Sequence, residues 1–256
     1  MVLAVDIGNT NIVLALFKGK RFISELRIPT NPHKGIYVYK NKVLNFVKSN
    51  NKSETPQAII VSSVVPGALA STKKMLAANF DTVPLILGES IKAPIKNEYR
   101  KPGQVGQDRL VNAFAVLCFY RKPAIILDFG TAVTIDVLSK EGSYLGGVIV
   151  PGVELSIENL TRRAALLPYI NLRKPKDILG QSTVESMLSG IFYGYAALCD
   201  GIIDRLKRRL KIKPIVIATG GHSKLLSSYC KNIDAIDPHL TLKGLNLIYL
   251  TISKKS

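Results

Sequence analysis

The sequence predicts an α/β protein made of two related halves, and three observations support this prediction. Short apolar runs typical of strands alternate with amphipathic stretches typical of helices. When the sequence is shifted by 122 positions, Asp6 falls on Asp128 and Gly8 falls on Gly130. Each of these acidic turns lies between two apolar strands, which chance rarely produces twice. We therefore expect a duplicated domain, residues 1–122 and 123–256, with a cleft between the halves.

The first half is predicted to begin with three strands and then to alternate between helices and strands. Its predicted strands are Val2–Ile7, Ile12–Phe17, Arg21–Ile28, Ala58–Ser62 and Val83–Leu87, and its predicted helices are Tyr37–Ser49, Pro66–Asn79 and Gln107–Arg121. Prolines and a glycine within residues 92–105 predict a long loop.

The second half begins as the first does. Strands are predicted at Ala124–Leu127 and Pro214–Ala218, a hairpin turn at Glu141-Gly142, and helices at Gly152–Arg163, Thr183–Leu210 and Leu240–Leu250.

Composition excludes several classes of protein. Hydrophobic residues make up 47% and charged residues 21% of the 256 residues, as in ordinary globular domains. We expect no membrane span, because no apolar run approaches about 20 residues. We expect no signal peptide either, because Asp6 interrupts the N-terminal apolar stretch. The widely spaced Cys118, Cys199 and Cys230 favour free thiols in a reducing cytoplasm over disulfides or a zinc site.

The formal net charge of +17 is spread along the whole chain. The densest basic run, residues 205–211, is typical of the solvated last turns of an amphipathic helix. Aromatic residues do not interleave with the basic ones, and no nucleic-acid-binding motif occurs. We therefore expect no nucleic-acid partner, whereas a positive surface would suit small anionic substrates.

The turn that follows Asp6 carries groups that a polyphosphate and its metal would use. Gly8 lets the backbone approach a phosphate, and Thr10 and Asn11 supply neutral donors. Asp6 is a candidate to hold Mg²⁺ through water, because Mg²⁺ keeps much of its hydration shell. A hairpin with a polar tip explains this turn equally well when it is considered alone.

The second copy of the turn favours the phosphate interpretation. There Asp128 precedes Gly130 and Thr131, so that two turns would hold one polyphosphate and Thr131 would add a hydroxyl donor. A third loop, in which Gly220 and Gly221 follow a predicted strand, would let an adenine or ribose lie against its backbone. Neither a P-loop nor a GxGxxG motif occurs in the chain.

The run from Gly106 to Arg109 allows two interpretations. Asp108 beside Arg109 is either a helix N-cap with a solvated arginine, or a carboxylate that orients a substrate hydroxyl. In the second case Arg109 would bind a carboxylate of the substrate. Position in the sequence alone leaves both open.

Five motifs in one order resemble type III pantothenate kinases. They are DIGNTN, GQDRLVNA, DFGTAVTIDV, GGVIVPG and GQSTVESMLSG, and the similarity runs from Val2 to Tyr249. The resemblance implies the actin-like ATPase and sugar kinase fold, with two ribonuclease H-like halves and a nucleotide cleft between them. It implies ATP-dependent phosphorylation of pantothenate to 4'-phosphopantothenate, the first step of coenzyme A biosynthesis, by a cytoplasmic homodimer.

The resemblance also implies roles for individual residues. Asp108 would be the proton acceptor, and Asp128 would hold K⁺ or NH₄⁺ beside ATP with its Mg²⁺. ATP binding is implied for Asp6, Ile7, Gly8, Asn9, Thr10, Asn11, Ile12, Val13 and Thr131. Pantothenate binding is implied for Tyr99, Gly106, Gln107, Asp108, Arg109 and, across the dimer interface, Thr183. The sequence departs from the family pattern at Gln107 and Ala164, where Ala and Thr are usual.

The segment Val184–Leu198 is apolar on most faces, and one half would not easily bury such a helix alone. Together with the resemblance, this pattern favours a homodimer over an ordinary core helix.

Three other functions are compatible with parts of the sequence. An ATP-dependent kinase of a sugar or small polyol would keep the fold, but a neutral sugar has no use for a buried Arg109. A non-catalytic transcription accessory factor would need the basic surface to bind nucleic acid. An actin-like ATPase without an acceptor would have little need of Tyr99 or Asp108.

Overall fold

The computed structural model describes residues 1–50, 55–211 and 213–254. The chain forms two compact units, Met1–Phe119 with His239–Ser256, and Tyr120–Pro238. Each unit contains one five-stranded mixed sheet with helices packed against it, which confirms the predicted α/β class.

The strands are β1 (Val2–Ile7), β2 (Asn11–Lys18), β3 (Arg21–Pro29), β4 (Ala58–Ser63), β5 (Leu85–Ile86), β6 (Ala124–Phe129), β7 (Ala132–Leu138), β8 (Tyr144–Pro151), β9 (Ile215–Thr219) and β10 (Ala235–Ile236). The helices are α1 (Lys40–Asn50), α2 (Pro66–Asn79), α3 (Gln107–Phe119), α4 (Val153–Arg163), α5 (Thr183–Leu210), α6 (Ser223–Leu226) and α7 (Leu240–Ile252). Most differ from the predicted bounds by one to three residues. The predicted strand Val83–Leu87 shortens to two residues, since Pro84 cannot donate to a ladder.

The internal duplication is visible in the topology. The first sheet has the order β3-β2-β1-β4-β5, and the second has the equivalent order β8-β7-β6-β9-β10. In both sheets the central strand pairs antiparallel on one side and parallel on the other. Even the bulges correspond, because the pairing skips Ile23 in β3 and Leu145 in β8, which lie 122 positions apart. The two sheets therefore repeat one fold.

The central strand β1 is apolar on both faces because helices cover both faces of its sheet. Leu3, Val5 and Ile7 join the core that includes residues of α1 and α2. Val2 and Ala4 join the core formed with α3 and α7. The side chain of Asp6 follows Val2 and Ala4 on the face of α3, since side chains alternate along a strand.

The last helix packs in the first unit, although the prediction assigned all of 123–256 to the second half. Leu245 and Ile248 of α7 are fully buried in the core that contains Val2, Ala4 and Val111. This packing is stabilised by a hydrogen bond of 2.7 Å from the Thr241 hydroxyl to the Asn112 side-chain oxygen. The apolar face of α7 thus completes the core of the first sheet.

Helix α5 is a core helix of the second unit. Its 28 residues are long and apolar enough to cross a membrane by length and composition, contrary to the expectation that no segment approaches this limit. In the structure, however, Met187, Leu188, Ile191 and Phe192 pack into the core of the second sheet. The second unit therefore buries this face itself, which removes the reason first given for a dimer.

The three cysteines carry free thiols, as the sequence predicts. Cys118 is exposed, whereas Cys199 is buried and hydrogen-bonded to the partly buried Cys230. This hydrogen bond, together with burial, raises the pKa of the Cys199 thiol, and it lowers the pKa of Cys230.

The contact of α7 with α3 depends on Gly244. A Cβ at this position would lie 2.7 Å from both Cγ1 and the carbonyl oxygen of Val111. We expect Gly244→Ala to lower the free energy of unfolding by about 1–3 kcal/mol, measured by urea denaturation. Gly201→Ala in α5 is the matched control, because its Cβ would meet only the flexible end of Arg205. It should gain about 0.5–1 kcal/mol from helix propensity, and equal effects of both changes would contradict the packing argument.

Candidate functional site

The first turn is held by its own backbone and by Thr30. The N–H of Gly8 donates to the carbonyl of Asn11 at 3.0 Å, which closes the turn. The Thr30 hydroxyl donates to the Gly8 carbonyl at 2.7 Å, and the Thr30 N–H donates to the Thr10 carbonyl at 2.9 Å. These contacts leave the side chains of Asn9 and Thr10 exposed. The turn is a fixed backbone frame with a polar tip, as a phosphate site requires.

Not every residue of the predicted ATP-binding stretch presents its side chain to a ligand. Ile7, Ile12 and Val13 are at most 8% exposed and belong to the core. Only the backbone of these three residues is available to a nucleotide. Asp6 is partly exposed at the carboxyl end of β1.

The second turn is built in the same way. The Gly130 N–H donates to the Ala132 carbonyl at 3.2 Å, and the Gly152 N–H at the start of α4 donates to the Thr131 carbonyl at 3.0 Å. Gly152 is the position that a shift of 122 assigns to Thr30, so equivalent donors support both turns, although the second turn is one residue shorter. The Thr131 side chain is exposed at the tip.

The glycine loop after β9 contacts the second turn directly. Gly220 has φ of +91°, and a Cβ on it would lie 2.4 Å from Oδ1 of Asp128. The N–H of His222 donates to the Phe129 carbonyl at 3.2 Å. The structure therefore brings Asp128, Thr131 and the loop with Gly220 and the exposed Gly221 together within the second unit.

Asp108 is the second residue of α3 and not its N-cap. Its Oδ1 accepts a hydrogen bond of 2.9 Å from the N–H of Arg109 and lies against Gly106, where a Cβ would approach it to 2.5 Å. Arg109 is 8% exposed, so its guanidinium is largely withdrawn from water. Gln107, where the family usually has Ala, packs its side chain against Gly88.

The loop before α3 is ordered by Asn97. The Tyr99 N–H donates to the Asn97 side-chain oxygen at 3.0 Å, while the Asn97 amide donates to the Pro102 carbonyl at 3.3 Å. Tyr99 is partly buried in this loop.

Asp6 and Asp108 lie at the same edge of the first sheet. Strands β1, β4 and β5 are parallel, so their carboxyl ends share one edge. Gly88 follows β5 at that edge and contacts Gln107 at the start of α3. Since Asp6 also points to the face that α3 covers, the predicted phosphate turn and the predicted acceptor residues belong to one region of the first unit.

Thr183 is the first residue of α5. The Ser182 hydroxyl caps the helix by accepting the Glu185 N–H at 3.3 Å, and the Glu185 carboxylate accepts the Gln181 N–H at 3.1 Å. Thr183 lines an open cavity of about 920 Å³ together with Leu160, Leu167, Gly180, Gln181, Ser182, Ser186, Met187, Gly190 and Ile191.

Sequence reasoning missed the polar groups that stand beside Asp128. Asp136 of β7 is fully buried and accepts hydrogen bonds from the Tyr144 hydroxyl at 2.7 Å and from the Thr134 hydroxyl at 3.1 Å. Thr134 is the antiparallel neighbour of Asp128, and Thr219 is its parallel neighbour. The second copy of the aspartate motif contains Asp136 and was the signal that could have indicated this network.

Comparison with known proteins identifies the relatives of this chain. Residues 2–205 match the type III pantothenate kinase family. A type III pantothenate kinase from Halalkalibacterium halodurans is 42% identical over 250 residues, which cover 97% of this chain and 98% of that protein.

Solved structures show the same fold at low identity. A Baf-family transcriptional activator from Campylobacter jejuni superposes with a TM-score of 0.63 at 21% identity, over 98% of this chain and 99% of that one. The ROK hexokinase from Thermus thermophilus gives a TM-score of 0.55 at 14% identity, over 99% of each chain. These two similarities concern the fold alone, and they agree with the predicted actin-like ATPase and sugar kinase architecture.

Proposed function

The chain belongs to the type III pantothenate kinase family, and from this premise we propose which residues perform the reaction. The protein is a pantothenate kinase, which uses ATP to phosphorylate pantothenate in the first step of coenzyme A biosynthesis. The observation that carries the assignment of roles is the position of Asp108. Its carboxylate lies at the start of α3, at the sheet edge where β1 ends in Asp6.

Asp108 is the proton acceptor in this proposal. The primary hydroxyl of pantothenate is a poor nucleophile, so a carboxylate must orient it and take its proton late in transfer. The hydroxyl oxygen forms the new bond to the γ-phosphorus of ATP, the bond to the bridging oxygen breaks, and ADP leaves. Arg109 and Tyr99 bind pantothenate, with the guanidinium of Arg109 paired to the carboxylate of the substrate. Low exposure of Arg109 supports this role, because such a pair is stronger away from water.

The two turns bind ATP in this proposal. Backbone N–H groups and the exposed side chains of Asn9, Thr10 and Thr131 contact the phosphates. The loop with Gly220 and Gly221 contacts the adenosine, because the exposed Gly221 carries no side chain that would keep a flat ring from its backbone.

Two cations are assigned to the two strand-end carboxylates. Asp6 would hold the Mg²⁺ of Mg²⁺–ATP through water, and Asp128 would hold K⁺ or NH₄⁺. When bound, these cations offset the charge of the phosphates. The groups around Asp128 fit a weakly hydrated cation, since Thr134 adds a hydroxyl oxygen in the antiparallel neighbouring strand. The antiparallel neighbour of Asp6 is the apolar Val13, whereas that of Asp128 is Thr134. The Asp6 site therefore suits an ion that keeps its own water.

We further propose a homodimer that works in the cytoplasm and assembles through an apolar surface of the second unit. Among the described residues, eight of the fourteen exposed large hydrophobic side chains lie between Ile149 and Leu198. Leu166, Ile178 and Leu179 are 92%, 64% and 74% exposed. Exposure of such large apolar side chains to water is unfavourable, which supports their burial against a second subunit. Thr183 lines the cavity at this surface, so Thr183 of the partner subunit would reach pantothenate when two copies associate.

Replacing Asp108 separates catalysis from binding. We expect Asp108→Asn to lower kcat by about 10²–10⁴-fold, because the general base is lost. ATP affinity should be unchanged, because the phosphate turns keep their backbone contacts. The measurement is a coupled ADP-release assay with and without pantothenate, beside calorimetric ATP binding. The exposed Asp81→Asn is the control and should behave as the parent. A variant that phosphorylates pantothenate at the parent rate would reduce Asp108 to a structural residue of α3.

The monovalent cation is testable by exchanging salts. We expect the rate in Na⁺ alone to fall by about tenfold relative to K⁺ or NH₄⁺ at equal ionic strength, because Na⁺ holds its water more strongly. Asp128→Asn should abolish the difference between the salts. Equal parent rates in all three salts would remove the cation from Asp128.

The dimer is tested by placing charge on its proposed surface. We expect Leu166→Glu with Leu179→Glu to weaken self-association by about 100-fold, measured by sedimentation, because charged side chains resist burial at an interface. The KM for pantothenate should rise in the same variant, since Thr183 of the partner subunit is lost. Val83→Glu, at a position 83% exposed in the first unit, is the matched control. A parent enzyme that is active as a monomer at micromolar concentration would contradict the shared site.

A further inference from the structure

Among residues 1–50, 55–211 and 213–254, the hydroxyl oxygens of Ser62 and Thr219 are buried and lack a hydrogen-bond partner. Ser62 pairs in parallel register with Asp6, and Thr219 pairs in parallel register with Asp128. Each buried hydroxyl thus stands beside one of the two strand-end carboxylates.

The two arrangements are equivalent in the fold. Ser62 lies on β4 and Thr219 on β9, which are the parallel neighbours of the central strands β1 and β6. In-register residues of neighbouring strands point to the same face of a sheet, so each hydroxyl and its carboxylate share a face. Ser62 is 0% and Thr219 is 1% exposed, which keeps both away from any bulky substrate.

An unpartnered hydroxyl in the protein interior is unfavourable, because it has lost its hydrogen bonds to water. Because an unpartnered hydroxyl occurs at equivalent places in both sheets, we infer that each hydroxyl forms its hydrogen bond when the ligands of the enzyme are bound. In both sheets an acceptor on the same face is the in-register carboxylate of the central strand, Asp6 or Asp128. A rotation about one side-chain bond is sufficient to redirect a serine or threonine hydroxyl.

We propose that Ser62 and Thr219 are positioning residues for the two cations, acting through Asp6 and Asp128. When an ion is bound, each hydroxyl donates to one carboxylate oxygen and leaves the other oxygen to the ion or its water. Carboxylates that bind metals are commonly held in this way by an outer hydrogen bond. The inference rests on the cation roles proposed above for Asp6 and Asp128.

The test compares two variants that remove only the hydroxyl, Ser62→Ala and Thr219→Val. Ser62→Ala should raise the Mg²⁺ concentration for half-maximal activity by about tenfold and leave the K⁺ dependence unchanged, because it supports only Asp6. Thr219→Val should shift the K⁺ dependence by a similar factor and leave the Mg²⁺ dependence unchanged. If the two hydroxyls had only a structural role, the two variants would not shift the Mg²⁺ dependence and the K⁺ dependence separately.

Binding is measured without turnover as well. Mn²⁺ binding in the presence of ATP, followed by electron paramagnetic resonance, should weaken about tenfold in Ser62→Ala. The increase in melting temperature on adding K⁺ to the ligand-free protein should shrink in Thr219→Val and return in Thr219→Ser. The melting temperatures without ligand should equal or exceed that of the parent, because each variant removes an unpartnered buried hydroxyl and loses no hydrogen bond present in the ligand-free protein.

Ser63→Ala is the matched control beside Ser62. The Ser63 hydroxyl is already used, since it accepts the Val65 N–H at 3.0 Å and donates to the Val65 carbonyl at 3.2 Å. Its removal should leave both ion dependences unchanged.

Asp6→Asn and Asp128→Asn distinguish this inference from the proposed function. If the aspartate variants shift the ion dependences and the hydroxyl variants do not, the positioning role is wrong and the cation sites stand. If the aspartate variants shift nothing, the cation roles fail and the inference fails with them.

Discussion

Both units are organised around one constraint, a central strand buried on both faces that ends in a carboxylate. In β1 and β6 the four residues before the aspartate are at most 2% exposed. An ionised carboxylate beside so much apolar surface needs water, donors or a cation within reach. The glycine turn that follows each aspartate fixes backbone N–H groups at the same strand end. The sheet therefore places a carboxylate and a glycine turn with backbone N–H groups at the same strand end, which is the combination that the proposed Mg²⁺–ATP site uses.

The sequence was sufficient for the features that depend on local pattern. Alternation and apolar runs predict the ranges of seven of the ten strands in the described residues, and the shift of 122 positions predicts that the second sheet repeats the first. The same shift selects Asp6 and Asp128, because covalent order preserves the position of a strand end. Local pattern fails for Val83–Leu87, where composition is typical of a strand but Pro84 and the sheet edge limit pairing to two residues.

Features that depend on long-range packing could not be predicted in this way. The apolar face of α7 is clear from the sequence, but nothing in it indicates that this face completes the core of the first unit. Ser62 and Thr219 escape detection because they do not lie 122 positions apart, although they occupy equivalent strands. The connections that precede β4 and β9 differ in length, and only strand pairing reveals the equivalence. The apolar face of α5 led to the opposite error, because the sequence pattern suggested contact with another subunit whereas its own unit covers this face.

The differences between the repeats bear on the two cation sites that we propose. Asp6 has Val13 on one side and Ser62 on the other, whereas Asp128 has a threonine on each side. Thr134 donates its proton to Asp136, so its oxygen lone pairs remain for a cation near Asp128. A site with more protein oxygens replaces more of an ion's water, which suits a monovalent ion and not Mg²⁺. In the assignment we propose, the shorter second turn places Thr134 beside Asp128 where the apolar Val13 stands beside Asp6, and this difference favours K⁺ or NH₄⁺ at Asp128.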